Sequence, residues 1–345
     1  MIKSALQNLE ILKQRWAEDL SEFFVKKLNH KNNSRAYVDD KHKWYQYSNE
    51  EITSLNDKNF LKTTYQFYDE LLEVYPEYIS MNVLGLDEQL NEIREYIFKP
   101  FNIGKMRTSP KSINKFPQIL IYAGQHGQEC TSQIMLMLFF HELMHKYNED
   151  LFLSRIRSTF QIRIIPCMNP WGVRHTRRRN SNNVDLNRNF PSGWSEAKGS
   201  KGKHPLSEKE SKVFIMWLER NHSESLCIIN IHDHGDPALT WGAASHKWSQ
   251  ELLFKSFQNF SGWYHVNIKK NIGQNTLSWL GQPREGYSDR YVGEEFDLPT
   301  ILFECPYVNH PLLSAGWECV RITSRQILVE IFNTLLDCNR CEKHI

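Results

Sequence analysis

No run in this 345-residue chain is long and apolar enough to cross a bilayer. The longest uncharged stretch near the middle, Cys130 to Phe140, falls far short of the ~20 residues needed. Charge of one sign is not in excess either: 42 Lys and Arg stand against 40 Asp and Glu. That balance leaves no global field to recruit nucleic acid or a membrane surface. The opening residues, from Met1-Ile2-Lys3 to Glu10, lack the apolar core of a signal peptide and read as the start of an amphipathic helix, so the expected location is cytoplasmic. A cysteine framework is missing too. The seven cysteines are odd in number, scattered, and mostly inside apolar runs such as Pro166-Cys167-Met168 and Leu226-Cys227-Ile228. This indicates buried thiols rather than disulfides. Cys338 and Cys341 have the Cys-x-x-Cys spacing but sit in a polar tail with no second pair, too little for a metal or redox site. Internal repeats and low-complexity tracts are absent beyond a mild Lys/Asn bias.

What is present is enough apolar material, 40% of the chain with 12% aromatic, for one large core. Residues 1–60 read as a polar helical extension, broken around Asn29 to Asp40, in which Leu6, Leu9, Leu12 and Trp16 recur at helical spacing and pack on the main domain. Residues 61–345 read as that domain. From Tyr65 a helix runs into Tyr75-Pro76, and Tyr78 to Leu84 and Arg94 to Phe98 alternate like strands. Gln118 to Ala123 is a short apolar strand and Thr131 to Tyr147 a helix. Gln161 to Cys167 is strand-like and is followed by an Asn169-Pro170-Trp171-Gly172 turn. Leu206 to Arg220 is helical, with Ser207 as cap and Glu210 three residues on. Ser225 to Ile231 and Thr300 to Phe303 are buried strands, and Pro311 to Asp337 is mostly a closing helix. Strands alternating with helices predict an α/β fold, with a mixed, largely parallel central sheet flanked by helices on both faces.

In open α/β sheets the working residues gather where strands end. His126 and Glu129, three residues apart, follow the strand that ends at Ala123; His232 follows Ile231; Glu304 follows Phe303. Two imidazoles and a carboxylate make a three-ligand zinc site with an open fourth position. Glu304 is then placed to act as the base that takes a proton from water. Taken alone, His126 or His232 reads more readily as a hydrogen-bonded core or loop histidine, and Glu304 as a carboxylate paired with an arginine. Their joint occurrence with Asp185-Leu186-Asn187-Arg188 points to chemistry, because that string adds a cation and an amide for an anionic substrate group.

The strings Gly124-Gln125-His126-Gly127-Gln128-Glu129, Asn169-Pro170-Trp171-Gly172, Val184-Asp185-Leu186-Asn187-Arg188-Asn189-Phe190, Ile231-His232 and Phe303-Glu304 resemble, in order and separation, the carboxypeptidase A-type zinc peptidases. The resemblance runs from about Tyr65 to the C-terminus and leaves residues 1–60 outside. It implies that His126, Glu129 and His232 bind Zn2+ and that Asp185 orients His126. It implies that Asn187 and Arg188 grip a terminal carboxylate, a task suited to a bidentate guanidinium. Glu304 becomes the general base and then the acid to the leaving amine. An arginine upstream of Asp185 becomes the oxyanion stabiliser; of Arg177, Arg178 and Arg179, spacing favours Arg178. Two departures from the family pattern remain open. The acidic loop Asp233-His234-Gly235-Asp236 makes His234 a rival ligand, and the tyrosine that closes over substrate has two candidates, Tyr291, which is favoured, and Tyr287.

A second zinc-type string, His141-Glu142-Leu143-Met144-His145, lies on the next helix. Its longer form would need glycine and histidine where Asn148 and Leu151 stand, so it is read as coincidence. The expected activity is hydrolysis of an amide near a free carboxylate, on a peptide or an N-acyl amino acid. The resemblance extends to the succinylglutamate desuccinylase and aspartoacylase branch, which implies an acyl-amino-acid deacylase as the alternative. The forty or so residues after Glu304 are too few for that branch's closing domain and favour the peptidase. A silent peptide- or peptidoglycan-binding protein of the same fold would be expected to have lost a ligand or the base, and all four residues are present. No nucleic-acid or membrane partner is expected, and oligomeric state is open.

Overall fold

The computed structural model describes residues 60–101, 116–145, 150–234, 239–242, 285–306 and 328–336. The expected N-terminal extension, residues 311–327 of the expected closing helix, the Cys338/Cys341 pair and the side chain of His234 lie outside the described residues. Among the described residues the helices are α1 (Phe60–Val74), α2 (Cys130–His145), α3 (Leu151–Thr159), α4 (Pro170–His175), α5 (Lys209–Asn221), α6 (Ser288–Glu295) and α7 (residues 328–336). The strands are β1 (Ile79–Leu86), β2 (Glu92–Phe98), β3 (Gln118–Ala123), β4 (Gln161–Ile165), β5 (Ser225–His234), β6 (Leu239–Gly242) and β7 (Thr300–Pro306). They form one sheet in the order β1-β2-β4-β3-β5-β7-β6. The inner pairs β4/β3, β3/β5 and β5/β7 are parallel, whereas β1/β2, β2/β4 and β6/β7 are antiparallel.

Central β3 explains the layering. All six of its residues are buried, as a strand with neighbours on both sides and helices on both faces requires. Successive side chains point to opposite faces. Ile119, Ile121 and Ala123 enter a core with Phe67 and Tyr68 of α1, Phe139 and Phe140 of α2, Ile156 of α3 and Phe332 of α7. Leu120 and Tyr122 enter a second core with Phe214, Trp217 and Leu218 of α5 and Val292 of α6. None of the helices among the described residues is long and apolar enough to span a membrane.

Several local expectations are corrected. The Asn169-Pro170-Trp171-Gly172 segment is not a simple turn but the start of α4. Asn169 caps it by accepting from Gly172 N at 2.9 Å, with Pro170 at the first helical position, where its missing N–H costs nothing. Ser207 does not cap α5. Its hydroxyl is held between Asn189 Nδ2 (2.9 Å) and Glu208 Oε1 (2.6 Å), and α5 begins at Lys209 with Glu208 in the cap position and no side-chain cap bond. Helix α3 has no counterpart in the sequence reading; Asp150 caps it by accepting from Phe152 N and Leu153 N. His232 and Glu304 lie inside β5 and β7 near their C-terminal ends, not in loops beyond them.

Candidate metal centre

The parallel register brings the candidate ligands to one level. Ala123, the last residue of β3, pairs with Ile231, so His232 comes next to the loop that leaves β3. On the other side of β5, His232 pairs with Glu304 of β7. The loop itself is sharply folded. Gly124 adopts φ +66°, and Glu129 N donates to His126 O at 3.1 Å just before α2 begins. Gly127 sits against α4 so tightly that a Cβ there would enter the backbone of Gly172 and Val173. The His-Gly-Gln-Glu turn is thereby fixed between the sheet and α4.

Glu129 is the hub. His126 Nδ1 lies 2.7 Å from its Oε1 and His232 Nδ1 2.6 Å from its Oε2. The two rings stand 4.8 Å apart, centroid to centroid. The outer nitrogens have their own partners: His126 Nε2 meets Asp185 Oδ1 at 2.9 Å, and His232 Nε2 meets Gln125 Oε1 at 3.1 Å. Arg178 spans the two carboxylates, with Nε 3.0 Å from Asp185 Oδ2 and Nη1 3.3 Å from Glu129 Oε1. Its neighbours Arg177 and Arg179 are exposed, the latter bonded to Asn183.

The charge pattern follows from these contacts. Burial by itself would raise the Glu129 and Asp185 carboxyls. For Glu129 the imidazoles of His126 and His232 win, and for Asp185 His126 and Arg178 win, so both are held below the usual carboxylate range. Burial and Arg178 pull His126 down, but Glu129 and Asp185 together raise it above an ordinary histidine. The result is a buried, anion-rich pocket whose inner nitrogens all face one carboxylate.

Asp185 also starts the turn that carries the next two candidates. Its Oδ1 accepts from Asn187 N at 3.0 Å, closing a 3-10 turn over Leu186–Arg188. Asn187 is buried, and its Oδ1 accepts from Ser288 N and Ser288 Oγ at 3.1 and 3.2 Å. The Arg188 guanidinium lies 4.4 Å over the Tyr287 ring. Tyr291 is not brought to this group. Its half-buried ring packs between Phe190 (6.1 Å) and Phe296 (5.9 Å), whereas Tyr287, one helical turn earlier, lies against Arg188 and is the tyrosine beside the Asp185 turn. Sequence reasoning missed Gln125 and Ser288. Gln125 was visible as a polar residue where a strand gives way to a ligand loop, whereas nothing local marked Ser288.

The donor set fits zinc: two imidazole nitrogens and one carboxylate oxygen, all within 4.8 Å of one another, three ligands that leave a fourth position open. Among the described residues this is the only such group of three or more His, Cys, Asp or Glu side chains. His141 and His145 stack at 4.6 Å on α2, where His145 Nδ1 meets Tyr75 OH at 3.0 Å, and no third ligand of those types joins them among the described residues.

Comparison with known proteins agrees with this geometry. Residues 64–289 match the family model described as zinc carboxypeptidase. Carboxypeptidase O of Bos taurus is 24% identical over 211 residues, covering 55% of this chain and 54% of the relative. Carboxypeptidase B of Rattus norvegicus is 26% identical over 186 residues, covering 48% and 42%. The chain thus spans about half the length of the curated relatives it matches. Among solved structures, bovine thrombin-activatable fibrinolysis inhibitor in complex with tick carboxypeptidase inhibitor superposes with a TM-score of 0.60 at 18% identity, covering 81% of this chain and 97% of that one. Carboxypeptidase A from Helicoverpa armigera gives 0.58 at 16% identity, covering 84% and 72%. At such identity these superpositions establish the mixed, largely parallel fold. With a family model matched across most of the described residues, the chain belongs to the zinc carboxypeptidase family.

Proposed function

We propose that this chain is a zinc-dependent carboxypeptidase that removes residues from the free carboxyl end of peptides. The observation that carries the reading is the convergence of His126 Nδ1 and His232 Nδ1 on Glu129, with the Asp185-Asn187-Arg188 turn bonded directly to that group. His126, Glu129 and His232 would hold the metal. Zinc, when bound, supplies a Lewis acid that polarises a carbonyl and acidifies water. Arg188 and Asn187 hold the terminal carboxylate of the substrate, which fixes the scissile bond relative to the ligands. Arg178, beside the ligand carboxylate, supplies fixed positive charge for the developing oxyanion. Glu304, 8% exposed and paired in register with His232, takes the proton from the attacking water and delivers it to the departing amine.

Cys130, Cys167 and Cys227 are buried as thiols, which supports a reducing, cytoplasmic setting. The test is elemental analysis of wild type and His126→Ala, followed by mass spectrometry of peptides, their C-terminal amides and N-acyl amino acids after incubation. The expected result is about one zinc per chain in wild type only, with stepwise loss of C-terminal residues from free peptides. Cleavage of N-acyl amino acids alone would replace the peptidase reading with a deacylase, and equal zinc in both proteins would move the metal site elsewhere.

A further inference from the structure

The two imidazoles have unlike outer partners. Asp185 serves His126, while His232 Nε2 faces a neutral amide, Gln125 Oε1, at 3.1 Å. A metal-binding Nδ1 must offer its lone pair, so the ring proton has to reside on Nε2. An amide oxygen can only accept, and Gln125 therefore holds His232 in that tautomer. The amide is itself fixed at its other end, where Nε2 donates to Ser288 Oγ at 3.3 Å. Ser288 has one hydroxyl proton and two acceptor positions. It accepts from Gln125 Nε2, gives its own proton to Asn187 Oδ1 (3.2 Å) and lies 2.9 Å from Tyr122 OH, which in turn is 3.4 Å from Asp289 Oδ1. Ser288 N, at 3.1 Å, gives Asn187 Oδ1 a second bond. With Oδ1 doubly engaged, the Asn187 amide has one orientation and keeps Nδ2 as its donor. Gln125, Asn187 and Ser288 are all buried, so water does not compete for these bonds.

We propose that Gln125 and Ser288 are positioning residues that join the second histidine ligand to the carboxylate-gripping amide in one directed chain, His232 to Gln125 to Ser288 to Asn187. Gln125 sets the tautomer of His232, and Ser288, through two bonds to Oδ1, sets the orientation of the Asn187 amide. The inference rests on the zinc carboxypeptidase reading and deepens it, because it ties metal affinity to one residue and carboxylate recognition to the other.

The experiment measures zinc affinity by competition with a chromogenic chelator, and kcat and KM on a free peptide, for wild type, Gln125→Leu, Gln125→Glu, Ser288→Ala and His126→Ala. Thermal melting of each variant reports folding. Gln125→Leu should bind zinc about 10- to 100-fold more weakly, and Gln125→Glu, which restores an acceptor, should return affinity to within a few-fold of wild type. Ser288→Ala should keep zinc affinity within about threefold and raise KM by about three- to tenfold, the worth of one lost hydrogen bond, with kcat little changed. Wild-type affinity in Gln125→Leu, or equal weakness in both Gln125 variants, overturns the role of Gln125. If Gln125→Leu does not fold, Gln125→Glu decides, since loss of zinc there overturns the acceptor. An unchanged KM in Ser288→Ala overturns the role of Ser288. Retention of zinc by His126→Ala would instead mean that the metal reading itself has failed, whereas its loss there with none in Gln125→Leu leaves that reading standing and removes only this inference.

Discussion

His126 Nε2 and Asp185 Oδ1 meet at 2.9 Å across 59 residues of chain, and that bond joins the metal loop to the substrate turn. Asp185 does three things at once: it orients an imidazole, accepts from Arg178, and caps the turn that presents Asn187 and Arg188. Asp185→Asn keeps the shape and removes the charge. Zinc affinity should fall about 10- to 100-fold, measured by chelator competition. Affinity equal to wild type would show that the carboxylate is not what steadies His126.

Glu304 lies in register with His232 but outside the group of three ligands. Glu304→Gln should therefore bind zinc as wild type does while kcat falls by about 10²- to 10⁴-fold, the usual weight of a general base. Parallel zinc analysis and turnover assays separate the two effects. Normal turnover would remove Glu304 from the mechanism.

Arg188→Ala should raise KM for peptides with a free carboxylate far more than for the same peptides amidated. Arg188→Lys should recover only part of the loss, because an ammonium cannot form the paired bonds of a guanidinium. The buried Tyr287 ring beneath the half-buried guanidinium adds a cation–π contact worth about 0.5–2 kcal/mol. Tyr287→Leu should accordingly raise KM a few-fold. Equal losses on free and amidated peptides would argue against carboxylate recognition by Arg188.

How far the sequence reveals this arrangement depends on the range of each interaction. The apolar run from Ile119 to Ala123 in β3 is local and could be read directly, whereas burial along β1 and β2 does not alternate strictly. The His126 and Glu129 pair announces itself because both residues sit in one tight turn. Helix α3 is short, with few buried side chains, and leaves a weak pattern. Ser207 looked like a cap because its competitor, Asn189, comes from 18 residues away. Gln125 meets His232 across 107 residues and Ser288 across 163, so no local pattern could pair them. Tyr287 and Tyr291 differ by one helical turn, and only the packing of Phe190 and Phe296 decides which ring is removed from the site.

Gly127 tests whether the loop's position matters as much as its ligands. A Cβ at this position would run into the backbone of Gly172 and Val173, which cannot rotate away as a side chain can. Gly127→Ala must push the turn off α4 and carry His126 and Glu129 with it. The expected outcome is loss of most bound zinc with a circular dichroism spectrum close to that of wild type. Full zinc occupancy would mean that α4 yields instead of the loop.

Glu210 provides a prediction far from the chemistry. It is fully buried in the first turn of α5, and burial pushes its carboxyl up to about 7. Hydrogen bonds from its own backbone N–H and from Asn180 oppose the rise, while Asp87 and Glu208 add to it. In the unfolded chain a glutamate ionises near ~4.3, so the folded protein binds this proton more tightly. The resulting stability is whole below about pH 4, fades as pH rises, and is gone once pH passes about 7. Urea unfolding of wild type and Glu210→Gln at pH 5 and pH 8 isolates the effect, because glutamine has no proton to lose. Relative to the variant, wild type should be more stable at pH 5 than at pH 8 by about 2–3 kcal/mol. The same difference at both pH values would mean that Glu210 ionises in the fold as it does in water, the bonds from Asn180 and its own backbone N–H balancing the penalty of burial.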